Sequence, residues 1–245
     1  MACSRLAERF NLSDYAYAHR GLWAAHGPTE NSLEALLLAA EMGFGIEFDV
    51  RPSSDGVPVV FHDPLLDRMT AHQGYVATRS AEELTAIPLI GGGHIISLDL
   101  LLRTWPGQTP LLCELKIDGE TDPVAFAAAV GEMLLAHSGP AAAMSFSTRT
   151  VAALPKGLMR GQLIQPSEIS GETNLAETPT APVDYLACHI SDADNATLQF
   201  ARRDVPLITW TVKDETTCEA LSAITDSQIF EGFDPALAKR HILNT

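Results

Sequence analysis

No stretch of this chain approaches the roughly 18 apolar residues that a membrane helix needs. Its first ten residues, MACSRLAERF, hold no apolar run long enough for a secretory signal. Basic residues are scarce: 16 Lys plus Arg stand against 31 Asp plus Glu, a formal charge of −15. That balance argues against a DNA- or RNA-coating surface, which would need a basic stripe. Cysteine is scarce too. Cys3, Cys113, Cys188 and Cys218 are scattered, without the close pairing of a zinc or dithiol site. Cys113 and Cys188 lie in apolar, strand-like runs, where a free thiol behaves as a small hydrophobe. Internal repeats and low-complexity tracts are absent. These absences predict a soluble, cytoplasmic protein with no stable membrane anchor and no nucleic-acid partner.

What the chain does have is apolar sequence, 46% of 245 residues, in short runs. Eight of them read as strands buried on both faces: 15–19, 45–50, 110–116, 141–146, 158–164, 183–190, 206–212 and 227–232. Helix-like segments alternate with them and carry start signals. ENSLEALLLAAEMG offers Asn31 as an N-cap with Glu34 three residues on and Gly43 past its end. In TDPVAFAAAV, Pro123 follows Asp122 at the first helical position. Eight such units predict an α/β fold, a (β/α)8 barrel forming one domain over residues 1–245. The fifth unit is the weakest: 165–182 reads as a loop with one short helix.

One stretch breaks the alternation. GIEFDVRPSSDGVPVVFHDPL, 45–65, sets Glu47 and Asp49 in an apolar run, then a turn, then a ninth strand-like run ending at His62. The linker RPSSDG is too short for a crossover helix, so residues 57–62 must return antiparallel as a hairpin arm. Residues 63–96 then make a small insertion after the second strand, a cap with a Ser80–Glu83 capping box.

In such a barrel the site lies at the C-terminal strand ends. Strand alternation puts Glu47 with Asp49, and Glu114 with Lys116, on shared faces. Three carboxylates on neighbouring strands cannot all stay ionised and unpaired in a barrel mouth. One divalent cation resolves this, and all-oxygen ligands favour Mg²⁺ or Ca²⁺ over zinc. The plain alternative is that Arg20 and Lys116 are ion-pair partners for the acids and that His19 and His62 are core histidines.

The ordered set AHRG, ENS, IEFDV, DGVPVVFHDPLLDRMT, ELK and WTV resembles the glycerophosphodiester phosphodiesterases. The resemblance is dense over 17–70 and sparser beyond. It implies a TIM barrel with a small insertion after the second strand. It implies Glu47, Asp49 and Glu114 as metal ligands, and His19 and His62 as general acid and base. Arg20 and Lys116 would contact phosphate, and Trp210 would wall the substrate pocket. The implied reaction is metal-dependent hydrolysis of a glycerophosphodiester to an alcohol and glycerol 3-phosphate through a cyclic phosphate. Two departures leave the alcohol open: IFEGFDP replaces the family's TD-P ending, and Met69 interrupts an R-T-T pattern. His189 and Glu231 are candidates for that pocket. A lysophospholipid or other alkyl phosphodiester is the alternative substrate, with Leu65, Leu66, Met69 and Tyr75 offering an apolar mouth. A metal-dependent enolising or aldolase-type barrel has no use for two histidines flanking a metal. A non-catalytic phosphate binder would have lost a ligand or a histidine.

Overall fold

A computed structural model describes residues 9–119, 121–166 and 182–243 of the chain. Its strands, in chain order, are β1 (Tyr17–His19), β2 (Gly45–Pro52), β3 (Pro58–Val60), β4 (Ile96–Ser97) and β5 (Leu111–Leu115). They continue with β6 (Ala141–Ser145), β7 (Met159–Leu163), β8 (Tyr185–His189), β9 (Leu207–Val212) and β10 (Ser227–Phe230). Eight of these, β1, β2 and β5 to β10, pair in parallel, and β1 closes the ring against β10. This is the expected TIM barrel, and helices follow its strands. The loop expected over the fifth unit falls mostly on 167–181, outside the described residues.

Alternation along the strands sorts the side chains. On β2, Ile46, Phe48 and Val50 pack outward against helices, with Leu36 of α1 (Leu33–Glu41) and Leu101 of α3 (Leu98–Thr104) in the same cluster. Glu47, Asp49 and Arg51, of opposite parity, face inward. The barrel interior is floored by Tyr17, Leu112, Tyr185, Ile208 and Ile229, all fully buried. The tyrosines need room. A Cβ at Gly161 would lie 2.2 Å from the Tyr185 ring, and one at Gly45 would lie 2.6 Å from Tyr17. Above this floor the inward positions turn polar.

The arm runs antiparallel, with Val50 opposite Val60 and Pro52 opposite Pro58. Gly56, at φ 79°, serves its turn. Beyond it, β4 pairs antiparallel with β3, and residues 59–95 gather a separate apolar cluster around Val59, Phe61, Leu66, Leu84 and Ile95. The Ser80–Glu83 capping box is present on α2 (Ala81–Thr85). Leu66 is fully buried in this cluster and Met69 packs against it. Leu66 is therefore not free to grease the mouth as the sequence suggested, whereas Met69 is only partly buried and Leu65 and Tyr75 remain exposed.

The start of α1 also differs from expectation. Ser32 is the N-cap, its hydroxyl accepting from Ala35 N. Asn31 has a left-handed backbone, φ 57°, and turns its side chain into the barrel mouth.

Candidate active site

Register sets the geometry of the mouth. His19 lies opposite Glu47 across β1–β2, and Asp49 lies opposite Glu114 across β2–β5. One oxygen from each of Glu47, Asp49 and Glu114 lies within 4.8 Å of the others, and all three residues are buried. Lys116 Nζ stands 3.0 Å from Asp49 Oδ1 and 2.6 Å from Glu114 Oε1. Arg20 Nε stands 3.3 Å from Asp49 Oδ2. Among the described residues Glu47 has no such lysine or arginine: its buried Oε2 lacks a hydrogen-bond partner, and His19 Nε2 is 3.8 Å away. Arg20 and Lys116 thus do form the ion pairs of the plain alternative, but they serve two carboxylates and leave the third.

That orphaned oxygen tests the site against a cation. Three inward, dehydrated carboxylates of hard-ion chemistry, one of them unpaired, fit a divalent metal. The charges respond accordingly. Burial pushes the Glu47 carboxyl well above the usual range, helped by Asp49 and Glu114. Burial also raises Glu114. Asp49 goes the other way: burial opposes its charge, but Lys116 and Arg20 outweigh it. Burial works against the Lys116 ammonium too, yet Asp49 and Glu114 push it up to about 12.

Both histidines are held alike. His19 Nδ1 donates to Glu231 Oε2 at 2.5 Å, and His62 Nδ1 donates to Asp63 Oδ1 at 2.6 Å. A carboxylate only accepts, so each ring keeps its proton on Nδ1 and presents Nε2 elsewhere. Burial lowers both pKa values despite these acids. His19, Arg20, Glu47, His62, Glu114, Lys116 and Trp210 line one cavity of about 170 Å³. Trp210 Nε1 is buried without a hydrogen-bond partner among the described residues, and its ring meets Phe146 edge-on. Every candidate residue for metal, proton transfer, phosphate and pocket wall except Asp49 therefore lines one chamber, and Asp49 lies beside it, with an oxygen within 4.8 Å of those of Glu47 and Glu114.

The two head-group candidates part company. Glu231 is committed to His19 and to Lys213, whose Nζ is 2.9 Å away. Its carboxyl falls to about 2; burial resists this, and the His19 bond and charge prevail. His189 bonds Ser191, stacks edge-on against Trp210, and lines a separate shallow groove. Asp234 caps the last helix, Pro235–Leu243, accepting from Ala236 N.

Sequence reasoning missed four polar residues of the mouth. Asn31 Nδ2 donates to Asp49 Oδ2 at 3.0 Å. Glu30, Asp63 and Arg68 form a chain that reaches Arg20. The signal was available in ENS and HDPLLDR, but helix-capping logic took Asn31 first. The left-handed backbone of Arg20, φ 57°, beside that of Asn31 marks this turn as shaped for its contacts.

Residues 19–138 match the model of the glycerophosphoryl diester phosphodiesterase family. The Bacillus subtilis protein YhdW is 34% identical over 128 residues, 49% of this chain and 51% of YhdW. Glycerophosphodiester phosphodiesterase 1 of Homo sapiens is 40% identical over 70 residues, 28% of this chain and 20% of that protein. The chain thus spans about half the length of the first of these relatives and a fifth of the second. An Oleispira antarctica phosphodiesterase, solved with the product sn-glycerol-3-phosphate, superimposes with a TM-score of 0.77 at 24% identity, covering 94% of this chain and 97% of that one. A glycerophosphodiester phosphodiesterase from Thermotoga maritima gives 0.71 at 23%, covering 88% and 94%. At these identities the structures establish the shared barrel.

Proposed function

We propose that this chain, whose residues 19–138 match the model of the glycerophosphoryl diester phosphodiesterase family, hydrolyses glycerophosphodiesters to an alcohol and glycerol 3-phosphate with one bound Mg²⁺ or Ca²⁺. The observation that carries this reading is the unpaired Glu47 oxygen beside Asp49 and Glu114, in the chamber that both histidines line.

Glu47, Asp49 and Glu114 would hold the cation, which supplies Lewis-acid stabilisation of charge on phosphorus oxygens. Arg20 and Lys116 attract the phosphodiester into an otherwise acidic protein and balance the charge that develops on it. Of His19 and His62, one takes the proton from the glycerol hydroxyl next to the phosphate. The other gives a proton to the departing alcohol. The oxygen attacks phosphorus, the alcohol leaves, and a cyclic phosphate results. Water then opens the ring with the histidines in reversed roles. Glu231 and Asp63 keep each reacting nitrogen as Nε2. Trp210 walls the pocket and offers Nε1–H to the substrate.

We read residues 63–96 as a cap on a single barrel domain and the small-molecule phosphodiester as the partner. The buried, unpaired thiols Cys113, Cys188 and Cys218 support a cytoplasmic protein. No helix of the described residues is long and apolar enough to cross a membrane. A second reading, an alkyl or lysophospholipid substrate, draws on a larger cavity of about 650 Å³ lined by Arg51, Pro64, Tyr75, Val76 and Phe126. Its size suits a lipid-like chain.

The deciding experiment is a hydrolysis screen with and without EDTA. Its substrates are glycerophosphodiesters of different head groups, a lysophospholipid and a chromogenic phosphodiester. Metal-dependent release of glycerol 3-phosphate is expected. No turnover of any diester, or full turnover after metal stripping, overturns the reading.

A further inference from the structure

Glu30 is a buried carboxylate, 8% exposed, that belongs neither to the carboxylate cluster nor to a histidine. It accepts from three guanidinium nitrogens. Arg68 Nη1 donates to its Oε2 at 2.9 Å and Arg68 Nη2 to its Oε1 at 2.7 Å. Arg20 Nη1 donates to that same Oε1 at 2.8 Å. The remaining face of Arg68 is also occupied: its Nε donates to Asp63 Oδ2 at 2.5 Å. Asp63 in turn holds His62 Nδ1 through its other oxygen. One arginine of the insertion therefore spans the gap between the His62 ring and the Arg20 guanidinium. The path is His62, Asp63, Arg68, Glu30, Arg20.

We propose that Arg68 is a positioning residue for the reaction proposed above, fixing His62 through Asp63 and Arg20 through Glu30 at the same time. The inference rests on that reading of the site. The geometry needs arginine in particular. A planar guanidinium serves a carboxylate edge with two nitrogens and still offers Nε to a second acceptor, whereas an ammonium is a compact point charge. Arg68 is about half exposed, so its bare charge is screened by water and its influence lies in orientation. Without it, Asp63 can rotate off Nδ1, and His62 can exchange its proton between ring nitrogens. Glu30 would lose its two-point support, and Arg20 would lose the anchor that aims it at the phosphate.

A merely structural clasp between cap and barrel would move none of the following readouts at full folding. In ¹⁵N-histidine-labelled, ligand-free protein, the His62 ring should show the Nδ1–H form in wild type and a mixture of tautomers in Arg68→Ala. On the metal-loaded enzyme, Arg68→Ala should lower kcat by about 10- to 100-fold, the usual size of a lost orienting contact, and raise KM as well. Arg68→Lys should recover less than half of that loss on a logarithmic scale. If Arg68→Ala does not fold, Glu30→Gln serves instead, with the same tautomer mixing and raised KM expected. An unchanged His62 tautomer with kcat and KM within two-fold of wild type overturns the proposal, and so does full rescue by lysine. The imidazole measurement needs no turnover. A wild type that hydrolyses no diester therefore refutes the phosphodiesterase reading, while the tautomer result still judges Arg68.

Discussion

Glu47 is the carboxylate on which the metal reading stands, because no lysine or arginine among the described residues is paired with it. Replacing it with glutamine keeps the shape and removes the charge. Its oxygen lies within 4.8 Å of oxygens on Asp49 and Glu114. At that separation, with an effective dielectric constant of about 20, two like charges repel by about 3 kcal/mol. The metal-free protein must carry this strain or take up a proton at Glu47, whose carboxyl burial already pushes up. Glu47→Gln should therefore be no less stable than wild type in EDTA, and more stable by up to about 3 kcal/mol where Glu47 would be ionised. For a chain of this size, that is a rise in Tm of up to about 10 °C. With Mg²⁺ or Ca²⁺ the order should reverse. Wild type gains about 2.7 kcal/mol at a concentration one hundred times Kd, and the variant gains far less. Thermal or urea melts in EDTA and in saturating metal decide it. A fall in Tm in EDTA would mean that Glu47 belongs to a stabilising ion-pair set. An equal metal-induced rise in both proteins would mean that the cation binds elsewhere. Either result refutes the reasoning.

Three further outcomes can be measured. His19→Ala and His62→Ala should each lower kcat by about 10²- to 10⁴-fold toward a diester with a poor leaving alcohol, while metal titrated by calorimetry still binds; near-normal kcat removes that histidine from the chemistry. Glu231, lowered from 4.5 to about 2, contributes stability that is present above pH 4.5 and lost as pH falls toward 2, at most about 3 kcal/mol at about 1.4 kcal/mol per pH unit. Acid unfolding of Glu231→Gln should lack that component, and superimposable pH curves would disprove it. Lys116→Met should raise KM for the anionic substrate and destabilise the metal-free protein by about 3 kcal/mol or more, because Asp49 and Glu114 lose their shared ammonium. Divalent metal should restore most of that stability, and melts that metal does not shift would count against a shared site.

The barrel was legible in the sequence because its signal is local and repeated. Strands buried on both faces must be near-continuously apolar, so eight runs between capped helices suffice to count the units. The hairpin arm was legible for a related reason: the chain between Val50 and Val57 cannot span a crossover. The polar positions Glu47, Asp49, Glu114 and Lys116 stood out against that apolar background, and strand parity placed them on shared faces. What tertiary structure alone decided was pairing. Sequence spacing could not give Glu231 to His19 across 212 residues, or Arg68 to Glu30 across 38. A carboxylate chooses its partner by where barrel closure and the packing of the insertion after the second strand leave a donor. Asn31 shows the limit most clearly. Its local context reads as a helix cap, but Ser32 takes that task, and a left-handed turn delivers the Asn31 amide to Asp49 instead. Met69 shows the converse, since an apolar residue in a polar motif is claimed by the nearest core, here the insertion's own. Local chemistry thus determined which residues were available, and closure of the barrel determined which of them meet.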